Sequence, residues 1–335
     1  MRTTNIFLLF IFIIVILYYA KFILLPLSLA LFFYLIIKSL TNRFLVSIKN
    51  NFKIHLNQLT VMFLIFTITL LCIYFFWIIL KFNLNVVKQN SNSYQDNFEK
   101  VISFFKSTPL NDLLRNEKIF ESLDLMSIFS MFINNLSLFA GNFSFIILFL
   151  LFFMFEENFF VKKIKSTVSP LNIKVLNKIN YDIFYYFQLK TLTSILTGIL
   201  TFIILLFLKN DLAPAFGILS FFLNFIPFLG SFLSILLPVL FSAIQFLNIF
   251  EPILTLILLT FIQIYVGNVL EPRLMGKTLN ISPLVMVIFL SIMGKIWGIA
   301  GMFLSVPFLV IILIILSKIK STKKIAILIS EKGEI

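Results

Sequence analysis

The chain of 335 residues contains a single cysteine and a single histidine. Cys72 lies in an apolar run with no second thiol to pair with, which excludes internal disulfides and cysteine-built metal cages. His55 stands in a basic stretch with no partner ligand beside it and reads as a solvated residue. No helix-borne HExxH, no GxSxG and no Walker loop occurs, so the usual peptidase, hydrolase and nucleotide-cleaving sites are absent. Neither enzymatic activity nor a cofactor or metal is expected. Charge is scarce too: Asp, Glu, Lys and Arg make up 12% of the chain, against about a quarter in soluble domains.

Hydrocarbon takes their place. Hydrophobic residues reach 60% and the mean hydropathy is +1.07, which defines a polytopic membrane protein. The 45 phenylalanines, beside abundant Asn and Lys, match the bias of a low-GC coding sequence, so aromatic clusters receive no functional weight. In a soluble protein the formal charge of +13 would point to nucleic acid. Here it points to Lys and Arg in cytoplasmic loops, and no nucleic-acid partner is expected. Arg2 precedes an apolar run, but "LYYAKF" is not a small-residue cleavage site, so an uncleaved anchor is expected.

A helix needs about 20 apolar residues to cross ~30 Å of hydrocarbon. Residues 5–37 are too long for one crossing and are interrupted by Tyr18, Tyr19, Lys21 and Pro26, which predicts two short helices in a hairpin. Single crossings are predicted over 58–80, 138–155, 191–208 and 253–270. Lys and Arg set the orientation. Segment 38–57 carries Lys38, Arg43, Lys49 and Lys53 with no acid; segment 156–190 carries Lys162, Lys163, Lys165, Lys174, Lys178 and Lys190 against Glu156, Glu157 and Asp182. Both are assigned to cytoplasmic loops, as is a tail over 318–335, so both termini are expected in the cytoplasm.

Segment 81–137 balances its charges and is placed outside. Phe98, Val101, Ile102 and Phe105 form an i, i+3, i+4, i+7 stripe ended by Pro109, with shorter amphipathic turns near Leu113, Leu114, Phe120 and Leu123. Such helices lie on the membrane, pack against neighbouring subunits, or cap their own chain. The expected organisation is 1–80 N-terminal membrane helices, 81–137 outer segment, 138–190 fourth crossing with its basic segment, 191–246 and 247–317 a helix plus a hairpin each, and 318–335 tail.

Two stretches do not read as simple spans. In 212–246 the centre, Asn224-Phe225-Ile226-Pro227-Phe228-Leu229-Gly230, breaks the helix: Pro227 removes a backbone donor and Gly230 admits dihedrals closed to other residues. In 283–316 the break is Gly294-Lys295-Ile296-Trp297-Gly298. A lysine there costs ~3 kcal/mol at the bilayer centre unless it faces protein or water. One helix plus one broken hairpin, repeated in opposite orientation, is the plan of inverted-repeat secondary transporters. The fold class expected is therefore all-α: single transmembrane helices plus two oppositely oriented broken helical hairpins.

"VGNVLEPRLMGKTLNISPLVMVIFLSIMGKIWGIAGMFLSVPFLVIIL", Val266–Leu313, resembles the autoinducer-2 exporter family of PerM-like permeases, and so does "FIPFLGSFLSILLPVL", Phe225–Leu240. The resemblance covers the C-terminal half well; the N-terminal helices match in number and hydrophobicity. It implies a bacterial inner-membrane transporter without an ATPase domain, assembled as a homo-oligomer, a pentamer, and handling small polar signals or metabolites or exchanging sodium for protons. Two positions depart from the family: Ser231 stands where Pro is frequent, and Leu189-Lys190 where a Gly-Gln pair is frequent.

Ten residues are candidates for a solute or ion pathway: Asn224, Pro227, Gly230, Gln263, Asn268, Glu271, Arg273, Gly294, Lys295 and Gly298. Glu271, followed by Pro272, is expected where the helix stops. Its carboxylate either couples proton or sodium binding or, with Arg273, pins a loop at the membrane surface. Lys295 either attracts a polar solute or extends to the far headgroups. Asn224, Gln245 and Gln263 either hydrogen-bond between helices or contact solute. The partners expected are lipid, a small polar solute, proton or sodium, and further copies of the chain. A pore and a non-transporting scaffold docked through 81–137 are the competing functions.

Overall fold

The structure is a computed structural model describing residues 12, 14–53, 56–106, 143–157, 159, 162–163, 166, 170–275, 280–318, 322–331 and 333. Among the described residues every regular element is helical. Among these residues six helices are long and apolar enough to cross a membrane: Lys21–Asn51, Gln58–Gln89, Tyr181–Phe207, Leu229–Phe246, Phe250–Leu274 and Ile299–Ser317. In chain order the elements are α1 Lys21–Phe52, α2 Gln58–Gln89, α3 Ser91–Lys106, α4 143–157, α5 Pro170–Phe207, α6 Ala213–Leu223, α7 Leu229–Phe246, α8 Phe250–Ile264, α9 Glu271–Met275, α10 Pro283–Trp297, α11 Ile299–Lys318 and α12 Lys323–Ile329. A π-helical turn, Tyr265–Leu270, joins α8 to α9.

Several sequence expectations shift. Pro26 is buried inside α1 and does not break it; the turn falls earlier, at Ala20. Over 21–37 the chain is therefore one helix and not a hairpin, and the stretch holding Lys38, Arg43 and Lys49 is its helical continuation. Similarly α5 begins at Pro170, so the second half of the basic segment 156–190 is helical. Proline suits the first helical position, where its missing N–H is no loss, and lysine is a good helix former. The stretch expected as the fourth crossing holds a helix over 143–157. The amphipathic turns near Leu113, Leu114, Phe120 and Leu123 lie outside the described residues.

Two compact units draw on interleaved parts of the chain: Met1–Thr69, Asn142–Leu189 and Leu274–Ile335 form one, Leu70–Gly141 and Lys190–Arg273 the other. In the first, α10 and α11 pack as a pair joined at Gly298. The break expected across 294–298 narrows to that residue, so Gly294 and Lys295 are helical. A Cβ at Gly301 would sit 2.1 Å from the Met293 carbonyl oxygen, and one at Gly294 would sit 2.6 Å from Met302 Cε. Both glycines let the two helices touch, and Met302 alone has a flexible end that can yield. Phe32 of α1 meets Phe303 and Phe187 edge-on at 4.8 and 4.0 Å, and Trp297 Nε1 donates to the Leu17 carbonyl at 2.8 Å. The expected tail folds back: the Ser282 N–H donates to the Ile329 carbonyl of α12 at 2.9 Å.

Gly298 has φ 67° and ψ −146°, a region essentially closed to residues with a Cβ. No atom lies within 4 Å of the Cβ an alanine would add, so strain alone decides. Gly298→Ala is expected to lower stability by about 1–3 kcal/mol, read as a thermal shift of the detergent-solubilised protein.

In the second unit, the Lys190–Phe207 part of α5 packs on α6, α7 and α8. Leu205, Ala213, Leu259, Ile262 and Val266 form one core, and Val87, Tyr94, Leu212, Phe241 and Ile244 another. Lipid tails are as apolar as leucine, so between membrane helices close van der Waals packing and interhelical hydrogen bonds hold more than hydrocarbon burial does. Gly198 and Gly217 supply the closest approach: a Cβ on Gly198 would lie 2.8 Å from the Gly217 carbonyl oxygen. Large apolar side chains such as Phe207, Phe232, Phe250 and Phe261 stay exposed, as suits faces turned to lipid.

Of the alternatives for the amphipathic segment, α3 takes the packing on its own chain. Tyr94 is buried against Phe241, with Phe98 beside it, and Asn97 Nδ2 donates to the Ile244 carbonyl at 3.0 Å. The Tyr94 hydroxyl donates to Asp211 at 2.5 Å. Burial, and then the Asp211 carboxylate, hold the Tyr94 phenol protonated well above its usual value of 10.0. Its contribution is complete below about pH 10, the unfolded phenol's value, and fades above that as the unfolded chain alone releases the proton. Tyr94→Phe is expected to flatten the alkaline limb of a melting-temperature profile measured from pH 8 to pH 11.

Candidate functional site

α5 enters the second unit at Lys190, and it does so with a charge. Lys190 is 6% exposed, and its Nζ donates to both carboxylate oxygens of Glu271, at 2.7 and 2.9 Å. One turn further along the same face, Ser194 accepts a hydrogen bond from Asn224 Nδ2 at 3.0 Å. Residues four apart on a helix lie one above the other, ~5–6 Å between Cβ atoms. Two sequence candidates from distant stretches, Glu271 and Asn224, therefore meet successive turns of one helix. Thr193, Thr197 and Thr201 extend this polar face along α5, each fully or almost fully buried. Thr193 and Thr197 bond back to the carbonyls of Lys190 and Thr193.

Glu271 reaches Lys190 because the helix before it changes pitch. Pro272 lacks an N–H and its ring would strike the carbonyl one α-turn earlier. The chain widens to a π-turn over Tyr265–Leu270, in which the Glu271 N–H donates to Val266 five residues back. The helix then runs on to Met275, correcting the expectation that Pro272 ends it. Single π-turns recur at functional sites. Glu271 pairs with Lys190 and not with Arg273, which is exposed.

Asn224 ends α6, and the tip between α6 and α7 is tight. Phe228 has φ 59° and ψ −60°, and the Leu229 N–H donates to the Pro227 carbonyl at 2.6 Å. That is the rare, strained hand of the γ-turn. Gly230 follows inside the first turn of α7, buried against the Leu223 carbonyl. A second polar group lies at the other end of these helices: Asn210 Nδ2 donates to Ser242 at 3.1 Å, and Ser242 shares a hydrogen bond of 3.3 Å with Thr255.

The remaining candidates disperse. Gln263 is buried on α8, and Asn268 is exposed on the π-turn. Gly294, Lys295 and Gly298 belong to the first unit, where Lys295 and Gly298 are exposed. Sequence reading did not place Lys190 or Ser194 at the site. The available signal is the lysine at the point where a basic stretch passes into the apolar run 191–208, a position that by itself reads as one more loop charge.

Membrane-length helices wrapped around a desolvated charge pair and a seam of hydroxyls define a multi-pass membrane protein with an internal polar site. The sequence pattern of the AI-2E family transporter matches residues 7–321, and the chain belongs to that family. It is 39% identical over 171 residues to a Borreliella burgdorferi protein provisionally named a transport protein, covering 50% of this chain and 46% of that one. It is 37% identical over 147 residues to the AI-2 transport protein TqsA of Escherichia coli K12, covering 44% and 42%. With the provisionally named transport protein YhhT of the same strain it shares 31% over 180 residues, covering 53% and 51%. The chain spans about half the length of the curated relatives it matches.

Proposed function

We propose that the protein is a secondary transporter of a small polar solute, coupled to proton or sodium and working by alternating access. The observation that carries this reading is the Lys190–Glu271 pair on two membrane-length helices, Lys190 buried and Glu271 partly so. A buried ion pair is a poor stability device, since removing two charges from water offsets most of their attraction. Ionisable groups inside membrane segments therefore stand as functional sites by default. Glu271 freed from Lys190 is a carboxylate able to take a proton or a sodium ion, and Lys190 then carries the uncompensated charge that a change of state must resolve.

The pairs α6–α7 and α10–α11 are the moving elements in this reading, two broken hairpins entering the bilayer from opposite faces as an inverted repeat. Asn224, Pro227, Gly230, Gln263, Asn268 and Arg273 line or hinge the path in the second unit, and Gly294, Lys295 and Gly298 serve the hairpin of the first. The bacterial inner membrane, cytoplasmic termini and a homo-oligomer complete it. Membership of a transporter family and a relative named for AI-2 transport support a small polar solute or signal.

Reconstituted liposomes test it, with solutes chosen by metabolite profiling of a deletion strain. Glu271→Gln keeps the size and one hydrogen bond to Lys190 but cannot ionise, and it is expected to reduce solute or cation flux at least tenfold. Unchanged flux in that variant removes Glu271 from the mechanism.

A further inference from the structure

Five buried polar side-chain atoms of the second unit lack a hydrogen-bond partner among the described residues, on Asn83, Thr191, Ser220, Ser234 and Glu251, and two of them fall at one level of the α6–α7 pair. Ser220 is 1% and Ser234 2% exposed, yet neither hydroxyl has a hydrogen-bond partner among the described residues. Their neighbours do: Thr193 and Thr197 bond back along α5, and Ser194 accepts from Asn224. A helix offers any serine a carbonyl one turn back, and a buried hydroxyl without a partner is unfavourable.

The register sets the two at one level of the α6–α7 pair. α6 and α7 run antiparallel from their tip, with Gly230 against the Leu223 carbonyl and, deeper, Phe216 and Phe241 ring to ring at 5.8 Å. Ser220 and Ser234 fall at the same depth between those two levels. α5 closes a third side, because Ser194 bonds Asn224 while Gly198 abuts Gly217. Ser220 lies between Gly217 and Asn224 on that face of α6.

We propose that Ser220 and Ser234, with the Ser194–Asn224 pair beside them, form a binding site for a small dehydrated alkali cation, sodium. The donors are neutral oxygens. Divalent ions demand carboxylates, and transition metals demand nitrogen or sulfur. An anion would need a cationic partner, and Lys190 is held by Glu271. Ser220 and Asn224 also sit at the carbonyl end of α6, the negative end of a helix of 11 residues, and broken-helix ends of this kind suit cations. The close backbone approach at Gly198 and Gly217 holds α5 tightly against α6 beside these groups, which favours a small ion over a larger solute. This inference rests on the ion-coupled reading given above and supplies its ion site.

The test uses full-length protein in detergent, with ionic strength held constant by choline chloride. Sodium chloride is expected to raise the melting temperature in proportion to the logarithm of its concentration above the dissociation constant, as a ligand of the folded state does, with potassium needing at least tenfold higher concentration. The double variant Ser220→Ala/Ser234→Ala is expected to melt no lower than wild type in choline, since two unpaired hydroxyls are gone, and to lose the sodium shift. Binding of ²²Na⁺, read directly, should weaken at least tenfold in the double variant and in Ser234→Ala alone. Wild type indifferent to sodium, equal responses to sodium and potassium, or an undiminished sodium response in the variants each overturn the site. Glu271→Gln flux is scored separately, so solute flux that is lost in Glu271→Gln but indifferent to sodium retains the transporter and discards this ion site.

Discussion

Glu271→Ala is expected to lower stability by about 3–5 kcal/mol, the loss that follows when one partner of a buried ion pair is removed. The reason lies with the partner left behind. Lys190 has an 8% exposed side chain, and no other ion pair to it is recorded among the described residues, so its charge would remain in a poorly solvated place. The informative control removes both charges. Lys190→Met/Glu271→Leu fills the same space with hydrocarbon and is expected to recover most of the lost stability, because apolar replacements of buried pairs are often neutral or better. Thermal unfolding in detergent gives both numbers. Recovered stability with absent flux would show that the pair serves transport; an unrecovered double variant would make it a structural strut.

Gly230→Ala is expected to destabilise by about 3–5 kcal/mol, at the far end of what single substitutions do. An alanine Cβ there would lie 1.8 Å from the Leu223 carbonyl oxygen and 2.6 Å from its carbon. Both are backbone atoms of the facing helix end, so no rotamer can move them aside. Opening the tip would also shift Asn224 away from Ser194 and disturb the γ-turn at Phe228. Loss of the folded species on size exclusion, or a large drop in melting temperature, is the readout. Ala at Gly267, where an added Cβ meets nothing within 4 Å, serves as the matched control and is expected to be nearly silent.

What the sequence made legible was local chemistry. Pro227 and Gly230 announce the α6–α7 tip because their dihedral restrictions act over a few residues, and the apolar runs announce the spans. Effects that depend on distant partners stayed hidden. Lys190 looks like one more loop charge until Glu271, 81 positions away, is seen beside it. Gly294 and Lys295 read as a break, but a glycine only permits a turn, and here Gly294 serves close packing against Met302. Pro26 and Pro272 read as helix ends; a turn at Ala20 and a π-turn before Glu271 accommodate them instead. The stripe around Phe98 was visible as amphipathic, while the choice of its own chain as partner was set by Tyr94 and Asn97 meeting Asp211 and Ile244.

The π-turn sets an azimuth as well as a pitch. In a regular helix each residue advances the direction of its side chain by about 100°. Squeezing one surplus residue into Tyr265–Leu270 swings everything beyond it around the axis relative to the face that carries Thr255 and Gln263. The aim of Glu271 toward Lys190 thus hangs on a miscount of one in the winding. A regularised helix of the same composition would keep both charges and point them past each other.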